Sequence, residues 1–204
     1  MEQLKAFLKR KNIVISAKRY GIDALGAMAQ GLFCSLLIGT IINTLGEQLG
    51  VPFLVDVGSY ASAMSGAAMA VAIGYALQAP PLVLFSLVTV GYAANALGST
   101  SLIPDQAGAG GPLAVLFIAV IAAEFGKAVS KETKIDILVT PLVTILVGVG
   151  LSAWWAPAIG TAATAVGNII MWATALQPFL MGIVVSVGIG VPLTQHISSA
   201  PICA

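Results

Sequence analysis

The chain is a succession of long apolar runs separated by short polar stretches. Runs cover about Gly21 to Leu45, Phe53 to Leu77, Leu82 to Leu97, Leu113 to Phe125 and Ile137 to Trp155. Between them lie Gly46 to Pro52, Gln78 to Pro81, Gly98 to Pro112 and Gly126 to Asp136. A helix needs about 20 apolar residues to cross the hydrocarbon core, so these runs predict five membrane spans, the fourth of them short. The fifth ends in Trp154 and Trp155, placed as an interfacial aromatic belt would be.

Beyond Trp155 the pattern changes. Ala156 to Ala175 is rich in Ala and Thr, with Asn168 in its middle, and reads either as a sixth span or as an interfacial helix. Pro178 breaks it, and Phe179 to Val191 is too short to cross a core of about 30 Å alone. Pro192 and Pro201 then bound a polar break containing Thr194, Gln195, His196, Ser198 and Ser199. Each Pro removes an N–H and clashes with the carbonyl four residues earlier, so a continuous helix is not expected here. Irregular backbone survives at membrane depth only when buried in protein or lining a wet cavity, which predicts a re-entrant element near residues 192–201. The expected fold is all-α and polytopic, with six or seven spans or part-spans. It divides into a basic amphipathic segment at 1–20 and a transmembrane permease-like domain at 21–204. The chain stops at Ile202-Cys203-Ala204 without a polar tail, so that domain is expected to be incomplete at its C-terminus.

Charge fixes the orientation of this pattern. Apolar residues make up 58% of the chain and charged residues 8%, too few to cover a water-soluble surface. Six of the nine basic residues are Lys5, Lys9, Arg10, Lys11, Lys18 and Arg19; the other three are Lys127, Lys131 and Lys134. With the first island in the cytoplasm, four crossings return the chain there at the second. The two intervening outer loops carry only the acids Glu47 and Asp105. An odd number of crossings would place one basic island outside, so parity supports four spans independently of hydropathy.

Composition also excludes several classes. A net charge of +1 gives no general field for nucleic acid, although the N-terminal island can meet anionic lipid heads. The apolar run after it is far longer than a signal-peptide core. One His and no CxxC leave no metal site, and neither GxxxxGK[ST] nor GxSxG occurs. No catalytic residue and no cofactor is assigned, and no catalytic chemistry is expected of the chain itself. Cys34 and Cys203, far apart in sequence and in apolar surroundings, read as buried free thiols, with a disulfide between them as the alternative.

Polar residues at membrane depth mark either interhelical hydrogen bonds or a pathway. For Gln30 and Asn43 the hydrogen bond is the favoured reading. Asn95, beside Ala93, Ala94, Ala96 and Gly98, fits both. The candidate substrate-binding set is Asn95, Asn168, Thr194, Gln195, His196, Ser198 and Ser199. Glu124 and Asp23 are expected to pair with Lys127 and Arg19, and Thr40, Thr89 and Thr144 to bond back onto their own helices. Small residues recur every four positions at Ser62, Gly66, Ala70 and Gly74, and again at Gly182, Ser186 and Gly190, as helices that approach closely require.

The stretch Asp136-Ile-Leu-Val-Thr-Pro-Leu-Val-Thr, the Trp154-Trp155 exit and Gly190-Val-Pro-Leu-Thr-Gln-His-Ile-Ser-Ser-Ala resemble the phosphotransferase-system subunit IIC family, in its perfringolysin-regulator-like branch of bacterial membrane proteins. The resemblance implies a sugar-permease-like membrane domain in the bacterial inner membrane. It also implies a homodimer, re-entrant hairpins near a sugar or other small polar solute, and soluble phosphocarrier subunits as partners. The chain departs from the branch at Gln195 and His196, where apolar or Pro residues are usual. Its 204 residues contain no phosphorylatable IIA or IIB domain. The alternative is a membrane regulatory or scaffold protein that keeps the permease fold without transport.

Overall fold

A computed structural model describes residues 7–8, 10–13, 16–100, 111–132 and 135–176, with side chains as far as residue 165 and at Asn168. Six helices follow in order: α1 (Lys18–Leu49), α2 (Pro52–Ala63), α3 (Ser65–Ala76), α4 (Pro81–Gly98), α5 (Gly111–Val129) and α6 (Asp136–Leu176). Four of them are long and apolar enough to cross a membrane, and α2 with α3 forms a fifth candidate span bent by 46°. The fold is that of an all-α, polytopic membrane protein.

The ends follow local chemistry. Pro52 and Pro81 stand in the first turns of α2 and α4, where a missing N–H costs nothing. Gly50, at φ +66, turns the chain out of α1. Within α1, two stretches, Lys18–Asp23 and Phe33–Leu37, widen to π-helical turns. The N–H of Ala24 then reaches the carbonyl of Arg19, and that of Ile38 reaches Phe33.

The bent pair completes a crossing. Its packing against α1 is antiparallel along the whole length, recorded by three glycines. A Cβ on Gly46 would come within 2.7 Å of Val55 N, one on Gly39 within 2.5 Å of Ser62 Oγ, and one on Gly31 within 2.7 Å of Ala68 O. At the far end Arg19 reaches the Leu77 carbonyl. Partners of α1 thus run steadily from α2 into α3, so the break at Met64 is a kink in one span rather than a hairpin that turns back.

The stripe at Gly66, Ala70 and Gly74 is the face on which α3 meets α4. Gly66 and Gly91 lie backbone to backbone, and Gly74 admits Leu84 and Leu87. Ser62, one turn earlier and on the other side of the kink, faces α1. α6 runs parallel to α4, with Gly148 against Val90 and Gly160 2.6 Å, by its virtual Cβ, from Gly98 O. Ten of the nineteen buried apolar residues described are Ala, so helices approach closely. Large side chains such as Phe33, Phe53, Tyr60, Phe85, Phe125 and Leu142 point outward instead. Exposed large residues around a small-residue interior suit lipid as the surrounding solvent.

Two expectations are corrected. The fifth and sixth spans are one helix: α6 runs without a turn through Pro141 and Pro157 to Leu176. At 1.5 Å per residue its 41 residues extend about 60 Å, twice the hydrocarbon core. Trp154 and Trp155, both exposed, mark a depth on this helix and not its end. The second span, expected as one helix, is broken at Met64. The break at 192–201 and the stripe at Gly182, Ser186 and Gly190 lie outside the described residues.

Candidate functional site

The substrate-site candidates fall in separate places. Asn95 is half-buried one turn before the end of α4, its Cβ against Gly66 and its Oδ1 2.6 Å from the position of a Cβ on Gly111. Asn168 is exposed on α6. Gly160 meets Gly98, and Asn168 lies eight residues beyond Gly160 while Asn95 lies three before Gly98. The two asparagines are therefore about 17 Å apart along the helix axes. Thr194, Gln195, His196, Ser198 and Ser199 lie outside the described residues. Gln30 is exposed, and Asn43 donates to Glu47 of its own helix at 3.2 Å, so neither bridges helices as expected. Thr40 and Thr144 do bond back, to Leu36 O and Thr140 O. Thr89 makes no such bond.

Where polar chemistry concentrates is the basic end of the bundle. Three helical ends converge there, those of a short turn closed by Lys11 N–H to Phe7 O, of α3 and of α5, and each is followed by a non-glycine residue in the left-handed region: Asn12 (φ 55), Gln78 (φ 55) and Lys131 (φ 62). The first two close Schellman turns. Ile13 N–H donates to Leu8 O at 2.9 Å, and after α3 Ala79 N–H donates to Gly74 O at 2.9 Å. After α5, Lys131 N–H donates instead to Asp136 Oδ1 at 2.7 Å. A left-handed conformation costs an ordinary L-residue roughly 1–2 kcal/mol, less for Asn. These three are the only non-glycine residues with positive φ among those described, and all line one cleft.

Cations satisfy the carbonyls that the three ends strand. Lys127, 2% exposed, donates to Glu124 Oε1 at 2.9 Å, to Asn12 O at 3.1 Å and to Leu77 O at 3.2 Å. Arg19 donates to Leu77 O at 2.6 Å and to Asn12 Oδ1 at 3.3 Å. Lys11 donates to Ser130 O and pairs with Glu132 at 2.6 Å, and Arg10 pairs with Glu132 at 2.7 Å. Asn12 Nδ2 donates to Gln78 Oε1 at 2.6 Å, and the Tyr20 hydroxyl donates to Glu124 at 3.1 Å. Positive side chains at helix C-termini also offset the negative end of the helix dipole. The Lys11 hydrogen bond and the charges of Arg10 and Lys11 hold the Glu132 carboxyl below its ordinary 4.5.

The expected Lys127–Glu124 pair is present. The expected Arg19–Asp23 pair is not: Asp23 is exposed, and Arg19 turns inward because a stranded helix carbonyl competes better than a solvated carboxylate. Residues 10–13, read from the sequence only as part of a surface segment, thus tie together elements more than a hundred residues apart. Parity was the one available signal. It places residues 1–20, the turn at 78–81 and residues 126–136 at the same end.

Between these groups lies an open cleft of about 400 Å³, lined by Arg10, Lys11, Asn12, Gln78, Lys127, Ser130, Lys131 and Glu132, with Pro80 at its edge. Fold and site together define a helical multi-pass membrane protein with its polar chemistry at one membrane face. The sequence matches the family described as phosphotransferase system, EIIC, over residues 22–204. The chain belongs to that family and is a membrane subunit of a phosphotransferase system, acting with other components of it. No curated protein and no solved structure matches the chain.

Proposed function

We propose that the protein is a permease that carries a sugar or another small polar solute across a bacterial inner membrane. The family match over residues 22–204 is the observation that carries this reading. In this reading the chain is a homodimer, and soluble phosphocarrier subunits meet it at the basic end. The solute site is drawn from Asn95, Asn168, Thr194, Gln195, His196, Ser198 and Ser199. Uptake of a panel of radiolabelled sugars and polyols into vesicles of cells expressing the protein tests it. Saturable uptake that Gln195→Ala and His196→Ala weaken, with expression unchanged, is the expected result. No uptake of any panel member and no thermal stabilisation by one would overturn it.

The basic islands orient the chain with its N-terminus and residues 126–136 in the cytoplasm. Their convergence at one end of the bundle supports this reading. In a Cys34→Ser, Cys203→Ser background, an impermeant maleimide is expected to label Asp105→Cys on intact cells and Lys131→Cys only after permeabilisation.

One observation favours the second reading, a regulatory or scaffold protein on a permease fold. The centre of the described bundle is filled: Met69, Ile73, Val90 and Ile118 are all fully buried there. A membrane subunit that melts and assembles normally but moves no solute fits that reading.

A further inference from the structure

The cleft at the basic end has a wall whose backbone carbonyls are engaged and whose remaining groups are mostly donors. Leu77 O takes both Arg19 and Lys127, Ser130 O takes Lys11, and Asn12 O takes Lys127. Gln78 Oε1 takes Asn12, and Glu132 takes two cations. In this cleft the groups left without a hydrogen bond are three donors, the Lys131 ammonium, the Gln78 amide nitrogen and the Ser130 hydroxyl, and one acceptor, the second oxygen of Glu132. Ser130 is 3% exposed, and its hydroxyl is buried with no partner. Arg10, Lys11, Lys127 and Lys131 line the cleft with Glu132, and Arg19, Glu124 and Asp136 stand beside it, so five cations meet three carboxylates, an excess of +2.

A neutral polyol has to donate as well as accept, and this wall has little left to accept with. An oxyanion needs only donors, and a phosphate group presents three or more acceptor oxygens to charge-assisted bonds. The volume, about 400 Å³, suits a small ligand. The left-handed residues Asn12, Gln78 and Lys131 hold the donors at the mouth, as strained backbone at binding sites does. We propose that this cleft is a binding site for a phosphate group, formed jointly by residues 10–12, the α3–α4 turn and residues 130–132. The group belongs either to a soluble phosphate compound or to the headgroup of an anionic lipid, since the cleft opens at the membrane face. The site does not depend on the transport reading.

The test uses the full chain in neutral detergent, with inorganic phosphate as the probe in equilibrium dialysis, and in phosphatidylcholine nanodiscs with and without phosphatidic acid. Lys131→Gln with Ser130→Ala removes two donors that hold no hydrogen bond, so the melting temperature is expected to be unchanged. Lys131→Gln alone serves as the check should the pair melt early. Saturable phosphate binding, weakened tenfold or more in the variant, supports the site and a soluble ligand. Stabilisation by phosphatidic acid alone, lost in the variant, supports it with a lipid headgroup as the source. Neither probe bound, binding equal in variant and wild type, or glucose displacing phosphate would each overturn the proposal.

Discussion

The interior of the bundle and its basic end are held together by opposite means. Inside, α3 and α4 are held by what is missing: Gly66 and Gly91 let two backbones touch, and no hydrogen bond links the pair. At the basic end, three helix termini leave carbonyls unpaired, and long cationic side chains reach 50 to 119 residues away to bond them. The interior is therefore brittle to added volume and indifferent to charge. The basic end is sensitive to charge and can absorb a change of shape. Each region has a perturbation that should leave the other untouched.

The largest expected effect is Gly66→Leu. A Cβ alone would sit 2.5 Å from the Gly91 carbonyl, and that neighbour is backbone, which cannot rotate away. Overpacking of this kind costs about 3 kcal/mol or more. Loss of the monodisperse peak in size-exclusion chromatography is expected. A variant that purifies and melts like wild type would mean that α3 and α4 do not meet on this face.

Lys127→Met comes next. It takes the counter-charge from the Glu124 carboxylate and strands the Asn12 carbonyl, while Leu77 O keeps Arg19, and removing one partner of a buried pair costs about 3–5 kcal/mol. The comparison sharpens with the double variant Lys127→Met, Glu124→Leu. Removing both charges should recover part of the loss, whereas no second substitution of charge should rescue Gly66→Leu. Equal melting temperatures for the single and double variants would show that the pair contributes nothing. Leu84→Val, a half-buried truncation beside Gly74, is expected to cost about 1 kcal/mol in a chemical melt.

The two regions also differ in how far the sequence announces them. Small residues every four positions at 66, 70 and 74 predict a close helix contact, because periodicity is local and survives into the structure. The three helices α1, α4 and α5 fall within a few residues of their apolar runs for the same reason. The kink at Met64 has no Pro, and the Ser65-Gly66 pair that follows it, a local cause of helix kinks, reads in the sequence as part of the small-residue stripe instead. Pro157 does leave one, and it misleads: with Trp154 and Trp155 it reads as a span end, yet α6 continues through it. A single lost N–H inside a helix is tolerable when neighbouring groups compensate. The cleft was hidden for a different reason. Its bonds join residues 10–13 to 77–78 and 127–132, and only the parity of the spans hinted that these would meet. Asn95 lies at a helix contact, Asn168 is exposed, and the set at 194–199 lies outside the described residues.

The smallest expected effect probes the basic end alone. Glu132 has its carboxyl held below the ordinary 4.5, first by the hydrogen bond from Lys11 and then by the charges of Arg10 and Lys11. A carboxyl whose folded value is depressed contributes stability that is fully present above its unfolded value and is lost as pH falls through the folded one. The Glu132 contribution should therefore be constant from neutral pH down to about 5 and should fade below 4.5. The pair is largely exposed, with Arg10 at 65% and Glu132 at 41%, so solvent and salt keep the effect small. Glu132→Gln should lower the melting temperature slightly at pH 7 and by less at pH 3, because acid progressively removes the same charge from the wild type. Raising the salt concentration at pH 7 should shrink the difference as well. The α3–α4 contact has no titrating partner, so Gly91→Ala should show the same loss at both pH values. A Glu132→Gln shift that is undiminished at pH 3 would mean that the side chain acts by packing, and the contrast between a charge-held end and a volume-held interior would fail at its most exposed point.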